Sequence, residues 1–522
     1  MEREAGSGRR AREMRKYRRN ELLILFLILA VLAGFFLILY LGKLHKVWDP
    51  EENAPVESTA DAEKERLENE HINELIAAAE KIAAGYDFDG AVTFLKSDPL
   101  YSKRLVLLEK AEEIKKRKDE MKAWADVKNI THLAFRPLIA DTSQAFTSLN
   151  ATKYNKENIT VEEFKAILNE LYSRGYVLVS LHDIAYSKAY TDSFKGIVET
   201  TAEGDTADVN ITLAESETVT EEPTEETTES EAESEAEVMD ESDDESDESD
   251  DESEEETSKT TAVPTTADPK KLKAGRIMLP EGKTPIVISV ENICPLPAMQ
   301  TEGFAKKLIL GKEGEVLCEL SDGRTGRFDI VTVLEEFIDE HPDFSYRGAR
   351  AVLGISGENG IFGYRTASIY EDEEGYNSEI ESARLIADTL KKLGYEFGMN
   401  GYHYSNMGNM SLEEIMVECQ AWNDEVASII GTTDIIVFPN GSDIGDWRYY
   451  SGERYDYLKD NGYVYFLNMN SSERAWNQIL NYYMRQGRRL VTGLSLYKDL
   501  SAGGFSDVFD AAKVYDNSHL PM

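Results

Sequence analysis

Polar residues that could do chemistry follow several predicted strands. Glu291 and Asn292 come directly after the apolar run "IVISV", and Asn400, His403 and Tyr404 lie in the loop "GMNGYHYSNM". Carboxylates and imidazoles bind divalent metals, and a carboxylate can also act as a general base. The residue types therefore leave three interpretations open: a metal site, a metal-free site or an ordinary polar loop.

The loop contains a single imidazole, which argues against a conventional metal centre. His403 lies between two tyrosines, and the second half of the chain otherwise carries only His341 and His519. An isolated imidazole in such a setting is more often a surface or stacking residue than a ligand. The chain also shows no recognisable Ser-His-Asp spacing, no phosphate-binding glycine loop and no dinucleotide fingerprint.

Predicted strands alternate with amphipathic helices from Ile130 onward and would position these residues. The predicted strands are "ITHLAF", "YVLVSL", "TPIVISV", "ARAVLGIS", "EFGMNGY", "DIIVFPNG", "VYFLNMN" and "LVTGLSL". The predicted helices include "TVEEFKAILNELYSRG", with Thr160 as N-cap and Glu163 three residues later, and "AWNQILNYYMRQG". This alternation indicates parallel strands joined by right-handed crossovers. Seven or eight such units favour a closed α/β barrel, whose site forms at the carboxyl ends of the strands.

Three of these segments carry a family resemblance. In order, "PIVISVEN", "GYEFGMNGYHYSNM" and "IIVFPNGSDI" resemble the polysaccharide deacetylase (NodB homology) family, over roughly residues 130–500 without the acidic tract described below. The segment "RYDYLKDNGYVYFLNMNSSERAWNQILNYYMRQGRR" is similar to membrane-anchored bacterial members. The resemblance implies a distorted α/β barrel. It also implies a divalent metal, held by one Asp and two His beside a base Asp, for hydrolysis of an acetamide on an N-acetylated sugar.

The resemblance also implies a role for each matching position. The residues found at the three metal-ligand positions are poor metal ligands. Glu291 stands at the base position and Asn292 at the metal-binding Asp position, while Asn400 and Tyr404 stand at the two His positions. Asn offers a neutral oxygen, and a Tyr phenol with a pKa near 10 must ionise before it binds strongly. We therefore expect no cofactor; a divalent metal such as zinc is expected only if the chain is an active deacetylase.

Several residues near the strand ends are candidates for binding sugar. Aromatic faces suit the apolar side of a pyranose, and amide or guanidinium groups suit its hydroxyls. The alternative is that these residues pack the barrel rim. The candidates are Arg365, Tyr402, His403, Pro439, Asn440, Asp443 and Trp447.

The N-terminus predicts a membrane anchor. Residues 1–21 form a basic tail with eight Lys and Arg, and Leu22 to Leu41 is an unbroken apolar run of 20 residues, long enough to span a bilayer core. Two basic residues follow the run closely, so the positive-inside rule places the N-terminus in the cytoplasm and the main domain outside the cell. The basic cluster is then a topology signal, and nothing indicates a nucleic-acid partner.

Two further segments flank or interrupt the predicted barrel. Residues 42–128 read as a linker and a helical spacer, and residues 192–270 form a Ser/Thr/Glu/Asp-rich tract expected to be disordered. The tract holds 24 acidic residues between Glu215 and Glu256, more than half of the net charge of −42. It therefore splits the barrel into residues 129–191 and 271–522, which is tolerable if its ends emerge close together. The three scattered cysteines predict free buried thiols.

These observations predict a single-pass cell-membrane protein with an extracellular deacetylase-like barrel. Its expected partner is a cell-wall or envelope glycan, bound or metabolised without metal-dependent hydrolysis. One alternative is an active deacetylase of N-acetylated glycans, with an atypical site at Glu291, Asn400, His403 and Asp443. A second is an envelope scaffold that acts through the helical spacer and the acidic tract, with unknown protein partners.

Overall fold

A computed structural model describes residues 56–187, 271–470 and 473–522. The predicted basic tail, the predicted membrane-spanning run and the acidic tract at 192–270 lie outside these residues. Within the described ranges, no helix combines the length and apolarity needed to cross a bilayer.

Parallel strands after residue 130 close into a barrel. The strands are β1 Thr131–Phe135, β2 Tyr176–Leu178, β3 Thr284–Val290, β4 Val352–Ile355, β5 Glu396–Met399, β6 Ile435–Val437, β7 Tyr465–Met469 and β8 Met484–Leu490. Their ring order, among the described residues, is β1, β3, β4, β5, β6, β7, β8 and back to β1, which makes seven strands. Within the same described residues, the additional strand β2 pairs with the first half of β3, whereas β4 pairs with the last two residues of β3, Ser289 and Val290. The predicted α/β barrel is confirmed, and this split pairing distorts it.

Helices cover the outside of the ring. The predicted capping box of the first crossover helix is present, with Thr160 and Glu163 bonding each other's backbone N–H groups. Outward residues of β1 pack on this helix, and the rings of Phe135 and Phe164 meet edge to face at 5.1 Å. The main barrel helices are Val161–Ser173, Ile330–Glu340, Tyr376–Leu393, Leu412–Trp422 with its extensions Asn423–Ala427 and Ser428–Ile430, Glu453–Asp460 and Gly493–Ala502.

Shorter elements complete the barrel unit. Short helices and turns lie at Thr142–Ala145, Ala151–Glu157, Leu181–Ile184, Pro297–Thr301, Pro342–Phe344, Tyr346–Gly348, Ser368–Tyr370, Met407–Asn409, Pro439–Gly441 and Ala511–Val514. Lys307–Leu310, Val316–Glu319 and Thr325–Gly326 form an antiparallel sheet. Lys122–Ala123 pairs with Met278–Leu279. The cysteines Cys294, Cys318 and Cys419 are free and buried, as predicted.

The predicted helix at 475–487 and the predicted strand at 490–496 are both wrong. Trp476–Ile479 pairs antiparallel with β8, and the helix Gly493–Ala502 begins where the strand was expected. The cause is tertiary: β8 lies between β7 and β1, so ladder pairing on both sides outweighs the local helical pattern. Thr492 then caps the following helix through a capping box with Ser495.

The segment after β2 closes the amino end of the barrel. Leu181 and Ile184 pack in one apolar cluster with inward residues such as Val287 and Ile435. Beside them, the His182 ring bonds the carboxylate of Glu396 through Nδ1 and that of Asp434 through Nε2, the latter at 3.2 Å. Glu396 begins β5 and Asp434 precedes β6, so these contacts lie at the strand starts.

The described segments on either side of the acidic tract are held together at this amino end. Ala185–Tyr186 pairs antiparallel with Lys273–Ala274, and the Tyr465 hydroxyl at the start of β7 donates to the Ala185 carbonyl at 2.6 Å. We call this two-stranded pair the neck. The described residues before and after the tract are therefore neighbours, which is the condition under which a fold tolerates a long insertion.

Two compact units divide the described chain. One contains residues 56–79 and 95–110; the other contains residues 80–94 and everything described from 111 onward. The N-terminal helices are Val56–Ala84, Phe88–Ser97 and Leu105–Asp119. Within the first unit, Arg104 pairs with Glu68 at 2.7 Å and His71 with Asp98 at 2.8 Å.

Candidate functional site

A polar cluster lies at the carboxyl end of the barrel, which we call the mouth. Glu291 follows β3 directly, Arg136 follows β1, and Arg488 projects from β8. The loops after β5 and β6 add Tyr404 and Asn440. The cluster occupies the end of the strands at which an α/β barrel forms its site.

Glu291 is fully buried and lies between two guanidinium groups. Its Oε1 is 3.4 Å from Nη2 of Arg488, and its Oε2 is 3.7 Å from Nε of Arg136. Charge-assisted hydrogen bonds are usually about 2.7–2.9 Å long. The two guanidinium groups therefore compensate the negative charge of Glu291, although both contacts are longer than those of a tight ion pair.

Both arginines are held in place by further contacts. Arg488 donates from Nη2 to the Phe438 carbonyl at 3.0 Å and from Nε to the Asn468 carbonyl at 3.2 Å. Arg136 donates to Glu157 at 3.1 Å and to Oδ1 of Asn440 at 3.0 Å. Burial lowers the pKa of the Arg488 guanidinium, and the Glu291 charge opposes that shift. Contacts within the fold thus hold both guanidinium groups in place at the mouth.

Tyr404 faces this cluster as a neutral phenol. Its hydroxyl donates to Oδ1 of Asn440 at 3.3 Å. Burial raises the pKa of the Tyr404 phenol well above its usual range, and the nearby Glu291 carboxylate raises it further. Tyr404 and Asn440 both have left-handed backbones, with φ of 56° and 53°. Such a conformation is uncommon for tyrosine, so contacts in the folded chain must stabilise the backbone at this position.

Asn292 and Asn400 hold the strand ends together. The Asn292 N–H donates to Oδ1 of Asn400 at 2.8 Å, and Nδ2 of Asn400 donates to the Val437 carbonyl at 2.6 Å. The Asn292 side-chain oxygen accepts from the Ser356 hydroxyl at 2.7 Å. The Asn400 side chain is completely buried. The side-chain oxygens of both amides therefore accept hydrogen bonds that connect β3 with β4 and β5, and Nδ2 of Asn400 adds the connection to β6.

The donor set at these positions does not fit a divalent metal. The side-chain oxygens of Asn292 and Asn400 already accept hydrogen bonds from protein donors. The raised pKa of Tyr404 keeps its phenol protonated. Two guanidinium groups next to Glu291 would also repel a cation. Across the described ranges, no three His, Cys, Asp or Glu side chains are grouped as metal ligands.

The candidate residues on the β4 and β5 loops have polar partners other than Glu291. Arg365 is exposed, pairs with Glu373 and lies over the Tyr370 ring at 5.6 Å. Tyr402 is buried, and its hydroxyl donates to Glu425 at 2.7 Å. His403 bonds Glu418 through Nδ1 at 2.6 Å and has a half-exposed ring.

The candidates on the β6 loop have mixed surroundings. Asp443 forms a buried ion pair with Arg485 at 2.6 Å and accepts hydrogen bonds from Tyr450 and Asn468. Pro439 is buried, whereas Trp447 is 75% exposed. Asp443 is thus already committed to Arg485, so the structure does not group it with Glu291 and His403.

Arg136 and Arg488 are the mouth residues that the sequence interpretation missed. Arg136 could have been found, because it directly follows β1 and the strand-end rule applies to it. Arg488 was missed because residues 475–487, directly before it, were predicted to form a helix. Below the mouth, His132 on β1 bonds Gln486 on β8 at 2.9 Å. Burial and the Arg488 charge lower the pKa of His132 to about 3, so the ring is neutral.

Comparisons with known proteins add one weak structural similarity. No protein-family model matches the chain, and no curated protein sequence does. Among solved structures, the chain is similar to the Streptococcus pyogenes deacetylase PplD in complex with acetate, with a TM-score of 0.32 and 8% identity. The alignment covers 73% of this chain and 97% of that chain. A similarity at this level carries no argument about family or activity.

Proposed function

We propose that this chain is a polysaccharide deacetylase-like protein that binds a cell-envelope glycan at the barrel mouth and does not perform metal-dependent hydrolysis. The support begins with the three sequence segments that resemble the family. Their residues Glu291, Asn400, Tyr404 and Asn440 converge on the carboxyl end of a closed α/β barrel. Segments far apart in sequence thus meet where such a barrel binds its ligand.

One observation carries the proposal that metal chemistry is lost. The positions that resemble metal ligands hold two amides bonded within the fold and a phenol that stays protonated, beside Arg136 and Arg488. Replacing a residue behind the ligands typically lowers metal affinity by about 10–100-fold, and here the ligands themselves differ. What remains is a carboxylate with guanidinium, amide and phenol groups, which is a set suited to sugar hydroxyls.

The membrane location is part of the proposal and rests on sequence alone. The apolar run from Leu22 to Leu41, with its preceding basic tail, would hold the protein in the cell membrane with the barrel outside. A barrel in that location would meet envelope glycans directly.

The test measures metal content, acetate release and glycan binding on the full-length chain. We expect no stoichiometric zinc or cobalt, no acetate from N-acetylglucosamine oligomers, and measurable binding to isolated envelope glycan. Glu291→Gln should lower the affinity for envelope glycan. Arg384→Met, on the helix Tyr376–Leu393, should leave that affinity unchanged. Stoichiometric metal together with turnover would contradict the proposal and favour the active deacetylase. Absence of metal, turnover and glycan binding would favour the scaffold alternative.

A further inference from the structure

An open cavity lies beside the loop that follows β6. Its volume is about 520 Å³, which is within the range of about 300–1,000 Å³ that is usual for small-ligand sites. The lining comes from residues 444–452 of the loop and from the first turns of the helices Leu412–Trp422 and Glu453–Asp460. Of the described mouth residues, none lines it. The cavity is therefore a place separate from the mouth.

This part of the β6 loop packs against the outer wall of the barrel. Successive strand residues face opposite sides of a sheet, and Arg488 on β8 contacts Glu291 in the interior. Arg485, three residues earlier on β8, therefore faces outward. Its guanidinium pairs with Asp443 in the β6 loop and lies over the Tyr450 ring at 4.1 Å. The loop and its cavity thus lie on the outside of the barrel.

Buried hydrogen bonds fix the backbone of the loop. Arg485 donates from Nη1 to the Arg448 carbonyl and from Nη2 to the Asp446 carbonyl, both at 2.7 Å. Arg454 donates to the Ile444 carbonyl at 2.8 Å. Because these contacts belong to the folded chain itself, the cavity exists before any ligand arrives. A site that is formed in advance loses less entropy when it binds.

Two aromatic side chains extend from this fixed backbone into solvent. Trp447 and Tyr449 are 75% and 71% exposed, and they alternate with residues 446, 448 and 450, whose backbone groups bond inward. We call Trp447 and Tyr449 the aromatic platform. Tyr449 lines the cavity, and Trp447 lies between two residues that line it. Large apolar rings that stay exposed side by side indicate a contact surface, and such rings lose little conformational entropy on binding.

The cavity beside the platform is polar and carries negative charge. Glu413 and Glu453 line it and are exposed, so their carboxylates can accept hydrogen bonds from hydroxyl groups. The same carboxylates disfavour the approach of an anionic lipid surface. A matching ligand has an apolar face for the rings and hydroxyl donors for the carboxylates. A pyranose ring has both.

We propose that the aromatic platform and its cavity bind one sugar ring of the glycan at a second position, outside the mouth. The apolar face of the ring stacks on Trp447 and Tyr449, and its hydroxyls donate to Glu413 and Glu453. This inference rests on the proposed glycan function, because it assigns a further contact to the same glycan. Two contacts along one chain of sugars raise the overall affinity above that of either contact alone.

The experiment measures binding of soluble N-acetylglucosamine hexamers to the full-length chain by calorimetric titration. We expect Trp447→Ala and Tyr449→Ala each to weaken binding by about fivefold to tenfold, the effect of losing one ring contact. Trp447→Phe keeps a ring and should stay within about threefold of the unaltered chain. The matched control is Tyr497→Ala, which removes an exposed ring that does not line the cavity and should change nothing.

The platform and the mouth are distinguished by including Glu291→Gln. Unchanged binding by the platform variants, with weaker binding by Glu291→Gln, would overturn the inference and leave the proposed mouth site intact. Weaker binding by the platform variants, with no effect of Glu291→Gln, would support the inference and contradict binding at the mouth. Absence of hexamer binding by the unaltered chain would overturn the inference. The platform side chains are exposed, so their variants should fold, and thermal unfolding would check this.

A quenching measurement distinguishes a sugar from a membrane as the occupant. The emission of Trp447 is the difference between the unaltered chain and Trp447→Phe, both in vesicles of phosphatidylcholine and phosphatidylglycerol. We expect acrylamide to quench this emission, because the ring is exposed, and the hexamer to protect it. Protection by the vesicles before any sugar is added would overturn the inference and identify the lipid surface as the partner.

Discussion

His182 should make the stability of the barrel unit dependent on pH. Burial lowers the pKa of its imidazole, but the carboxylates of Asp434 and Glu396 more than reverse this and raise the pKa from 6.5 to about 9. At 1.36 kcal/mol per unit, this difference corresponds to about 3 kcal/mol of stability. Because the folded pKa is the higher one, the contribution is complete below about pH 6.5 and disappears as the pH rises through about 9.

Urea unfolding of the full-length chain, followed by tryptophan fluorescence, would measure this effect. We expect His182→Gln to lower the free energy of unfolding by about 3 kcal/mol near pH 6 and by much less near pH 10. His403→Gln is the control, because that imidazole is half exposed and pairs with a single carboxylate, so its loss should cost about 1 kcal/mol at most. A His182→Gln effect of equal size at both pH values would refute the reasoning.

Three further predictions concern the mouth. Asn400→Ala should lower the free energy of unfolding by about 2–4 kcal/mol, because the Asn292 N–H and the Val437 carbonyl lose their hydrogen-bond partner. The same variant should leave the metal content unchanged. Arg488→Met should destabilise by about 3–5 kcal/mol in denaturant unfolding; the double variant with Glu291→Gln should recover most of this loss, and no recovery would contradict the proposed charge pairing. The ring carbons of His132 should show no NMR titration between about pH 5 and 8, since the pKa is about 3.

The sequence was sufficient for the architecture of the barrel. Alternating apolar strands and amphipathic helices predicted a parallel α/β barrel, and the Thr160 capping box is present. These features depend on local patterns, which a sequence displays directly. The strand-end rule also located Glu291, Asn400 and Tyr404 correctly at one end of the barrel.

The charge pairing of the mouth depends on tertiary contacts and could not be read in the same way. Residues 475–487 have a helical pattern, yet β8 takes its form from pairing with β7 and β1. That error hid Arg488, whose contact with Glu291 joins residues 197 positions apart. His403 is the opposite case, because its residue type suggested chemistry while its side chain bonds Glu418.

The neck has a practical consequence for protein engineering. Its two short strands fix the distance between the chain ends on either side of residues 192–270, whatever lies between them. Doubling the length of a loop costs only about 0.6 kcal/mol in closure entropy, so we expect the fold to tolerate shortening or lengthening residues 192–270, or replacing them with a fluorescent domain. A reporter placed there would be attached at the end of the barrel farthest from the mouth, where it could follow the protein in cells without blocking a ligand.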